Sequence, residues 1–587
     1  MFHAGKGRGP WSEATSPQKT YDPSNAASNI KPPLSAATQP RSRQTRPSAS
    51  ASRPSSTDYG NAGIFKQPKT HPISQEQLVF EIKGIYAGLV IVENKCIEVV
   101  SAQNAPGDGA NTKFNNEQWQ ALISLHRTLL YEYHDFFLAT QHPSSSPAMK
   151  RLALKYAMPA RVWRHGIHSF LELLRHRLPA SLEHMLTFIY LAYAMMALLY
   201  ETVPAFKDTW IECLGDLGRY RMAIEDNNIR DHEVWTAVSR GWYSKASDKA
   251  PTTGRLYHHQ AILARPNAFQ QLFYYGKSLC VAIPFIPAKD SIQTLFESIM
   301  ANQRAASLEQ LFVVINAILF TGKMLERFDS VVQEFTSALD IHISRSTRRF
   351  QEQGYHIGIT VCYTLVGYGS EANPIHKAFQ QAKSGNEPAV LAEAMNGVDT
   401  SDATPESQEN AVMFAMATHD IVFRRFGDPN ILTYVHTTLV FMRYVAFFPE
   451  LKYLARRFPW KLTALLLNTL MGSEGEHIFE TQRFPQSKDE ASRPLPEDYA
   501  LRGLPWAEKY FPSDWFSNDK IEDEEKGLEA ASMGQERKIR ILALGYQIAQ
   551  DNKYLMYDKE TRHFIVPESG VEIEPSDTMR IDIVLSN

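Results

Sequence analysis

Three groups of residues have the types and spacing that chemistry needs. Gly276-Lys277-Ser278 ends like a phosphate-binding loop, whose lysine and hydroxyl hold phosphates and their magnesium ion. The glycine that such a loop needs five residues earlier is Gln271 here, and a Tyr-rich helical stretch precedes it where a strand is required. The tripeptide is therefore read as part of a helix, with no nucleotide site. His165 and His168 lie on one helical face, as a metal pair would, but Arg164 beside them repels a cation and no Cys or carboxylate completes a set nearby. The cysteines Cys96, Cys213, Cys280 and Cys362 are far apart with no CxxC pair. That excludes a cysteine zinc site and a disulfide framework, and fits a reducing compartment. HExxH, GxSxG and GxGxxG do not occur in a supporting context. With no nucleophile–base pair assembled, the sequence reads as a non-enzyme with no metal and no cofactor.

The 587 residues carry 61 Lys+Arg against 64 Asp+Glu, and 44% are hydrophobic. Wholesale disorder is excluded by that apolar content. The net charge of −3 conceals an asymmetry, because residues 1–72 hold 10 Lys/Arg and 3 Asp/Glu and the rest of the chain stands at −10. A uniformly basic, nucleic-acid-coating protein does not fit. Residues 1–72 are poor in large apolar side chains, so burial cannot offset the entropy of ordering them and a disordered tail is expected. Its basic Ser-rich run, Arg41–Ser56, is a solvated tail or else a nuclear-import or RNA-contacting element. The N-terminus lacks the apolar segment of a secretory signal. Met185–Tyr200 is an uncharged run too short for a bilayer and followed by Glu201, so a buried core helix and no membrane contact are expected.

What must position any functional residue is a set of helices. Apolar residues recur at helical spacing over Gln75–Gln103 and Asn116–Thr140, as in Trp119, Leu122, Leu125 and Leu129. Further helices are read at Pro147–Tyr156, Ala160–Leu178, Leu182–Thr202 and Thr209–Asn227. Between Trp210 and Met300 two helix pairs have repeat character: Tyr243-x2-Ala246-x4-Pro251 has the spacing of a tetratricopeptide second helix, and Leu214-Gly215 is the close-packing pair of the first. Long apolar helices follow at Leu308–Ser344, Ala411–Phe448 and Lys461–Met471. Ser384–Asn410 and Asn518–Met533 read as polar insertions. A charged helix at Gln535–Asp551 precedes short β-like pieces at Tyr554–Tyr557, His563–Val566 and Arg580–Leu585.

Three stretches together carry a resemblance. CLGDLGRYR (Cys213–Arg221), WYSKASDKAPTTGRLYHHQAILA (Trp242–Ala264) and QQLFYYGKSLCVAIPFIPAKDSIQTLFE (Gln270–Glu297) resemble the ever-shorter-telomeres/SMG family of telomerase subunits and nonsense-mediated mRNA decay adaptors. LPEDYALRGLPW (Leu495–Trp506) and ERKIRILALGYQIA (Glu536–Ala549) look like its C-terminal helical region. The resemblance implies an all-α fold: a 14-3-3-like domain with tetratricopeptide-type repeats over 73–300, then a helical-hairpin domain over 301–587, the family's DNA/RNA-binding region with polar insertions.

The resemblance also implies a phosphopeptide pocket. Arg219 and Tyr220 match the motif residues that offer a guanidinium and a phenol to phosphate, while Arg164 and His168 lie on the helix that supplies the other cation. His168 stands where a lysine is expected, and an unperturbed imidazole is largely neutral at pH 7. An ordinary ion pair with Asp216 is the alternative for Arg219. The function implied is a non-catalytic adaptor of mRNA decay that binds a phosphorylated decay helicase or similar phosphoprotein, with other SMG-type adaptors as partners, in nucleus and cytoplasm. The alternative is a telomerase-associated subunit bridging telomeric DNA, telomerase RNA and proteins, with weak RNA or single-stranded DNA contact. Some family members carry a nuclease domain with clustered aspartates; the last residues, with Asp577 and Asp582, are too few for one, so no nuclease is expected.

Overall fold

A computed structural model describes residues 73–567 except 105–113, 226–227, 302–306, 384–405, 472–483, 486–492, 518–524, 531 and 551–552. The expected disordered tail, most of the first insertion, the acidic run at 522–524 and the last β-like piece lie outside the described residues.

The helices that bear on the site, in chain order, are α1 (Gln75–Asn104), α2 (Asn116–Gln141), α3 (Ser169–Arg175), α4 (Leu182–Thr202), α5 (Lys207–Ala223), α6 (Ile229–Lys249), α7 (Gly254–Leu263), α8 (Ala268–Cys280) and α9 (Ala288–Ala301). They continue with α10 (Leu308–Thr321), α11 (Phe328–Ser346), α12 (Arg348–Leu365), α13 (Glu406–Phe423), α14 (Leu432–Val445), α15 (Trp460–Met471), α16 (Pro496–Leu501) and α17 (Met533–Ala549). One antiparallel hairpin, β1 (Met556–Asp558) with β2 (His563–Ile565), is the sheet among the described residues. The fold is all-α.

Local chemistry sets several helix ends. Asn115 caps α2 reciprocally with Gln118, and Ser307 caps α10 with Gln310, each pair satisfying two otherwise orphaned N–H groups. The two longest apolar runs each break into two helices. Leu308–Ser344 is interrupted where Gly322, at φ +66°, closes α10 with its N–H on the Ile318 carbonyl. Ala411–Phe448 is interrupted after Phe423, where Gly427 at φ +93° and Pro429 cannot continue a helix.

α4 buries Met185, Phe188, Ile189, Ala192, Met195, Met196 and Leu199. It is long and apolar enough to cross a membrane by length and composition, but in this fold that face packs against α2, α3 and α5.

The hydrophobic core falls into two large clusters. The first runs from Leu78 to Tyr220 and joins α1–α5. The second runs from Tyr257 to Phe564 and gathers α7 onward. A small cluster of Ile211, Tyr243, Ala246, Leu256 and Leu263 lies between them. α7–α9 share a core with α10–α15.

α12 is the centre of the second cluster, buried on every side from His356 to Leu365. Its two glycines permit a close crossing: a Cβ on Gly354 would meet Thr433 Oγ1 at 2.8 Å, and one on Gly358 would meet Thr437 Oγ1 at 2.7 Å. Gly and β-branched residues cost up to about 1 kcal/mol each in helix propensity. Full burial of each Ile, Val, Leu or Tyr contributes about 1.5–3 kcal/mol and outweighs that.

Candidate functional site

The motif residues converge between α5 and the segment leading into α3. Before α3 the backbone winds as a π-turn over Val162–His168, where Ser169 N–H reaches the Arg164 carbonyl. The buried Gly166 carbonyl accepts from His126 Nδ1 at 2.9 Å. This turn brings His168 to Tyr220, with ring centroids 6.4 Å apart at 76°.

The partners of these residues decide what they can do. Tyr220 donates its hydroxyl to Glu172 Oε1 at 2.8 Å, and the same carboxylate takes Arg175 at 2.6 Å. Arg219 is 3% exposed. Its Nη2 donates to Asp216 Oδ1 at 2.8 Å and its Nε to the Tyr243 hydroxyl at 3.3 Å, while Tyr243 donates to Asp216 at 2.6 Å. Burial works against both charges, yet each holds the other: Arg219 is kept protonated by Tyr243 and Asp216, and Asp216 is held below the usual carboxylate range by Arg219 and His259. Burial lowers the His168 pKa, with Glu172 and Asp216 pulling the other way without reversing it. Arg164 is exposed and forms no hydrogen bond or ion pair with the other three.

The four residues therefore do not form an open cationic wall. Arg219 is spent on Asp216, Tyr220 on Glu172, His168 is neutral near pH 7, and an arriving phosphate would face two carboxylates. The i−3 ion pair to Asp216, the alternative open in the sequence, is the arrangement found. Glu225 is taken instead by Arg221. Glu172 was missed by sequence reasoning, because its proximity to Tyr220 arises across 48 residues and leaves no local signal. The repeat reading placed Tyr243 and Ala246 in a packing seam, and both are buried.

The LPEDYALRGLPW stretch forms a second polar centre. Glu497 and Asp498 are wholly buried on α16. Glu497 takes Arg537 Nε at 2.5 Å and Nη2 at 3.0 Å, and His436 Nδ1 at 2.9 Å. Asp498 takes Arg540 at 2.8 Å, the Trp515 indole at 3.0 Å and its own cap N–H, Leu495, at 2.9 Å. Each carboxylate is paired and multiply hydrogen-bonded, which is the condition for keeping a charge at zero exposure. The arrangement clamps α16 against α14 and α17. All three partners of Asp498 meet Oδ2, and its buried Oδ1 has no hydrogen-bond partner. Among the described residues no group of three or more His, Cys, Asp and Glu is placed to hold a metal ion.

Residues 239–510 match the Est1 DNA/RNA binding domain. Over 243 residues, 40% of this chain, the sequence is 21% identical to EST/SMG-like protein 2 of Saccharomyces cerevisiae, covering 19% of that protein. Over 101 residues, 17% of this chain, it is 36% identical to telomerase-binding protein EST1A of Danio rerio, covering 6% of it. The chain thus spans less than a fifth of the length of these curated relatives. The crystal structure of Est1 and Cdc13 is similar over 76% of this chain and 99% of the other, at 10% identity and a TM-score of 0.48.

Proposed function

We propose that this chain, which belongs to the ever-shorter-telomeres/SMG family, is a non-catalytic helical adaptor that joins a ribonucleoprotein to protein partners. The observation that carries this is the matched domain, 239–510. It coincides with most of the second core, whose buried ion pairs fix its shape and leave no assembled reactive group among the described residues.

The setting we propose is mRNA surveillance in nucleus and cytoplasm, with a phosphorylated decay helicase or similar phosphoprotein and other SMG-type adaptors as partners. Phosphate recognition by Arg219, Tyr220, Arg164 and His168 then requires Asp216 and Glu172 to be displaced from their cations, so contact at that pocket is coupled to an opening of α5 from α3. The second reading, a telomerase-associated subunit, is favoured by the relative named for telomerase binding. Affinity capture of the tagged chain, with and without phosphatase, tests both. Decay factors lost on dephosphorylation support the first; telomerase RNA retained after it supports the second. Capture of neither removes the adaptor reading.

A further inference from the structure

α4 turns an uncharged, largely apolar face to solvent as well as to the core. Tyr190 is 51% exposed and Leu198 40%, and Ala194 between them is exposed too. The three recur at i, i+4 and i+8, so they share one side of the helix. No charge interrupts that side before Glu201. A continuous apolar surface of this kind marks a place that something covers.

Beside this face, α4 meets α6 through a seam of rings. Trp235 lies edge-on to Tyr190 and Tyr193, with centroids 6.1 and 5.9 Å away. Trp242 donates its indole N–H to the Tyr193 hydroxyl at 2.8 Å and packs edge-on to Tyr200 at 5.5 Å. The two indoles differ in one respect. The N–H of Trp235, a half-buried residue, has no hydrogen-bond partner among the described residues. Aromatic faces with one unanswered donor beside them fit a polyproline segment, whose rings pack on aromatics and whose carbonyls have no partners of their own. An amphipathic helix would leave the donor unmet, because its carbonyls are taken within the helix.

The chain contains such a segment. Ten of its 33 prolines fall in residues 1–72, and its one Pro-Pro pair, Pro32-Pro33, is flanked by Ile30-Lys31 and Leu34. From Leu34 the chain runs on to Ile73, which packs on the same core as α4 and α5. An unstructured stretch of that length, about 40 residues, spans about 35 Å. α4 is about 30 Å long. The tether therefore holds the segment near the seam at an effective concentration on the order of 1 mM. Charge favours the approach, since the tail has 10 Lys/Arg against 3 Asp/Glu and the rest of the chain stands at −10. The Arg-rich run Arg41–Ser56 fits the seam less well. Arg221 already lies 5.6 Å from the Trp235 ring centroid and Lys245 5.2 Å from that of Trp242, where an arriving guanidinium would stack.

We propose that the seam between α4 and α6 is a docking site for a polyproline segment, and that Ile30–Leu34 of the chain's own tail occupies it. The prolines pack on Tyr190 and Trp235, and a backbone carbonyl accepts the Trp235 N–H. The inference does not depend on the adaptor reading, and its failure leaves that reading intact.

A fluorescent peptide of residues 26–38, titrated by anisotropy into the full chain, tests it. In the wild type the tethered segment competes. Pro32→Ala with Pro33→Ala should therefore raise the peptide's affinity about tenfold, the factor that a tether near 1 mM imposes on a site with a Kd of about 0.1 mM. In that background Trp235→Phe, which keeps a ring and removes the donor, should weaken the peptide severalfold. Tyr190→Ala, at an exposed position, should abolish measurable binding and serves if Trp235→Phe does not fold. Equal binding to wild type and the proline variant, no binding to either, or binding unchanged by both seam variants overturns the proposal. A dimer seen by light scattering and lost in Tyr190→Ala, without peptide binding, also overturns it and gives the face to a second copy of the chain.

Discussion

Arg219 and Lys277 are both buried cations on helices of one array, and both sit in motifs that suggest phosphate. Arg219 lies in a centre where every charge is answered: Asp216 and Tyr243 take its donors, and Glu172 takes Tyr220 and Arg175. Lys277 lies at a cleft and donates to the Tyr499 carbonyl, with no carboxylate bonded to it among the described residues. The side-chain type is a poor guide to anion binding; the number of donors left over decides it. The motif that matched the family's pocket is the closed one, and the tripeptide set aside as a false phosphate loop lies in the open one.

Several measurements would break this contrast or sharpen it. The largest effect is expected at the clamp that holds the cleft's wall. Arg537→Ala leaves Glu497 fully buried beside a histidine alone, and removing one partner of such a pair costs about 3–5 kcal/mol. Urea unfolding should show a loss of that size. A loss under about 1 kcal/mol would mean that α16 is not held by these ions.

Arg219→Glu comes next. It sets a carboxylate against Asp216 in a site 3% exposed, so a loss of about 3 kcal/mol is expected, moderated by the Tyr243 hydrogen bond that Asp216 keeps. The sequence alone suggests an Arg in an open cleft whose replacement leaves the fold untouched. Unchanged stability in thermal unfolding would restore that picture and reopen the pocket.

Gly254→Ala should cost about 1–3 kcal/mol, because a Cβ there would stand 2.3 Å from the Ser278 carbonyl oxygen and 2.6 Å from Phe285 N. This glycine is where α7 meets the chain leaving α8, next to the bridge between Thr253 and Ile283. A neutral effect in chemical denaturation would show that the two segments can part without loss.

The smallest effect is a pH slope. Burial, reinforced by Arg502 and opposed by Asp248, lowers the Lys277 pKa to about 7 from 10.5. Between those values the unfolded chain binds a proton that the folded chain does not, so stability should rise with pH from about 7 towards 10. Lys277→Met should remove that part of the slope. If stability instead falls with pH equally in both proteins, Lys277 is charged and answered in the folded state, and the contrast with Arg219 disappears.

Much of the fold was legible from residue order. The bounds of α4 were read without error, because a continuous apolar run between Pro179 and Pro204 leaves little choice. α2, α15 and α17 were read to within a few residues. α12 was not identified, although its second half, His356–Leu365, is wholly buried in the second core. Its Gly354, Gly358 and β-branched residues disfavour a helix in isolation, and burial on all sides from His356 to Leu365 leaves that half without the polar face that betrays one. The same holds for the site. Arg219 and its Asp216 partner are three residues apart, within reach of a helical rule, whereas Glu172 belongs to another segment.

The sequence by itself determined the class of the molecule: an all-α body, apolar where helices pack, behind a basic tail, with motifs specific enough to indicate its family. These follow from periodicity, capping and composition, which act over a few residues. Only the tertiary structure decided which partner each buried cation meets. Lys277 meets the carbonyl of Tyr499 across 222 positions, and Lys526 meets Asp248 across 278. Charge is balanced among neighbours in space, and in a stack of helices those neighbours come from segments that have no local signature of one another.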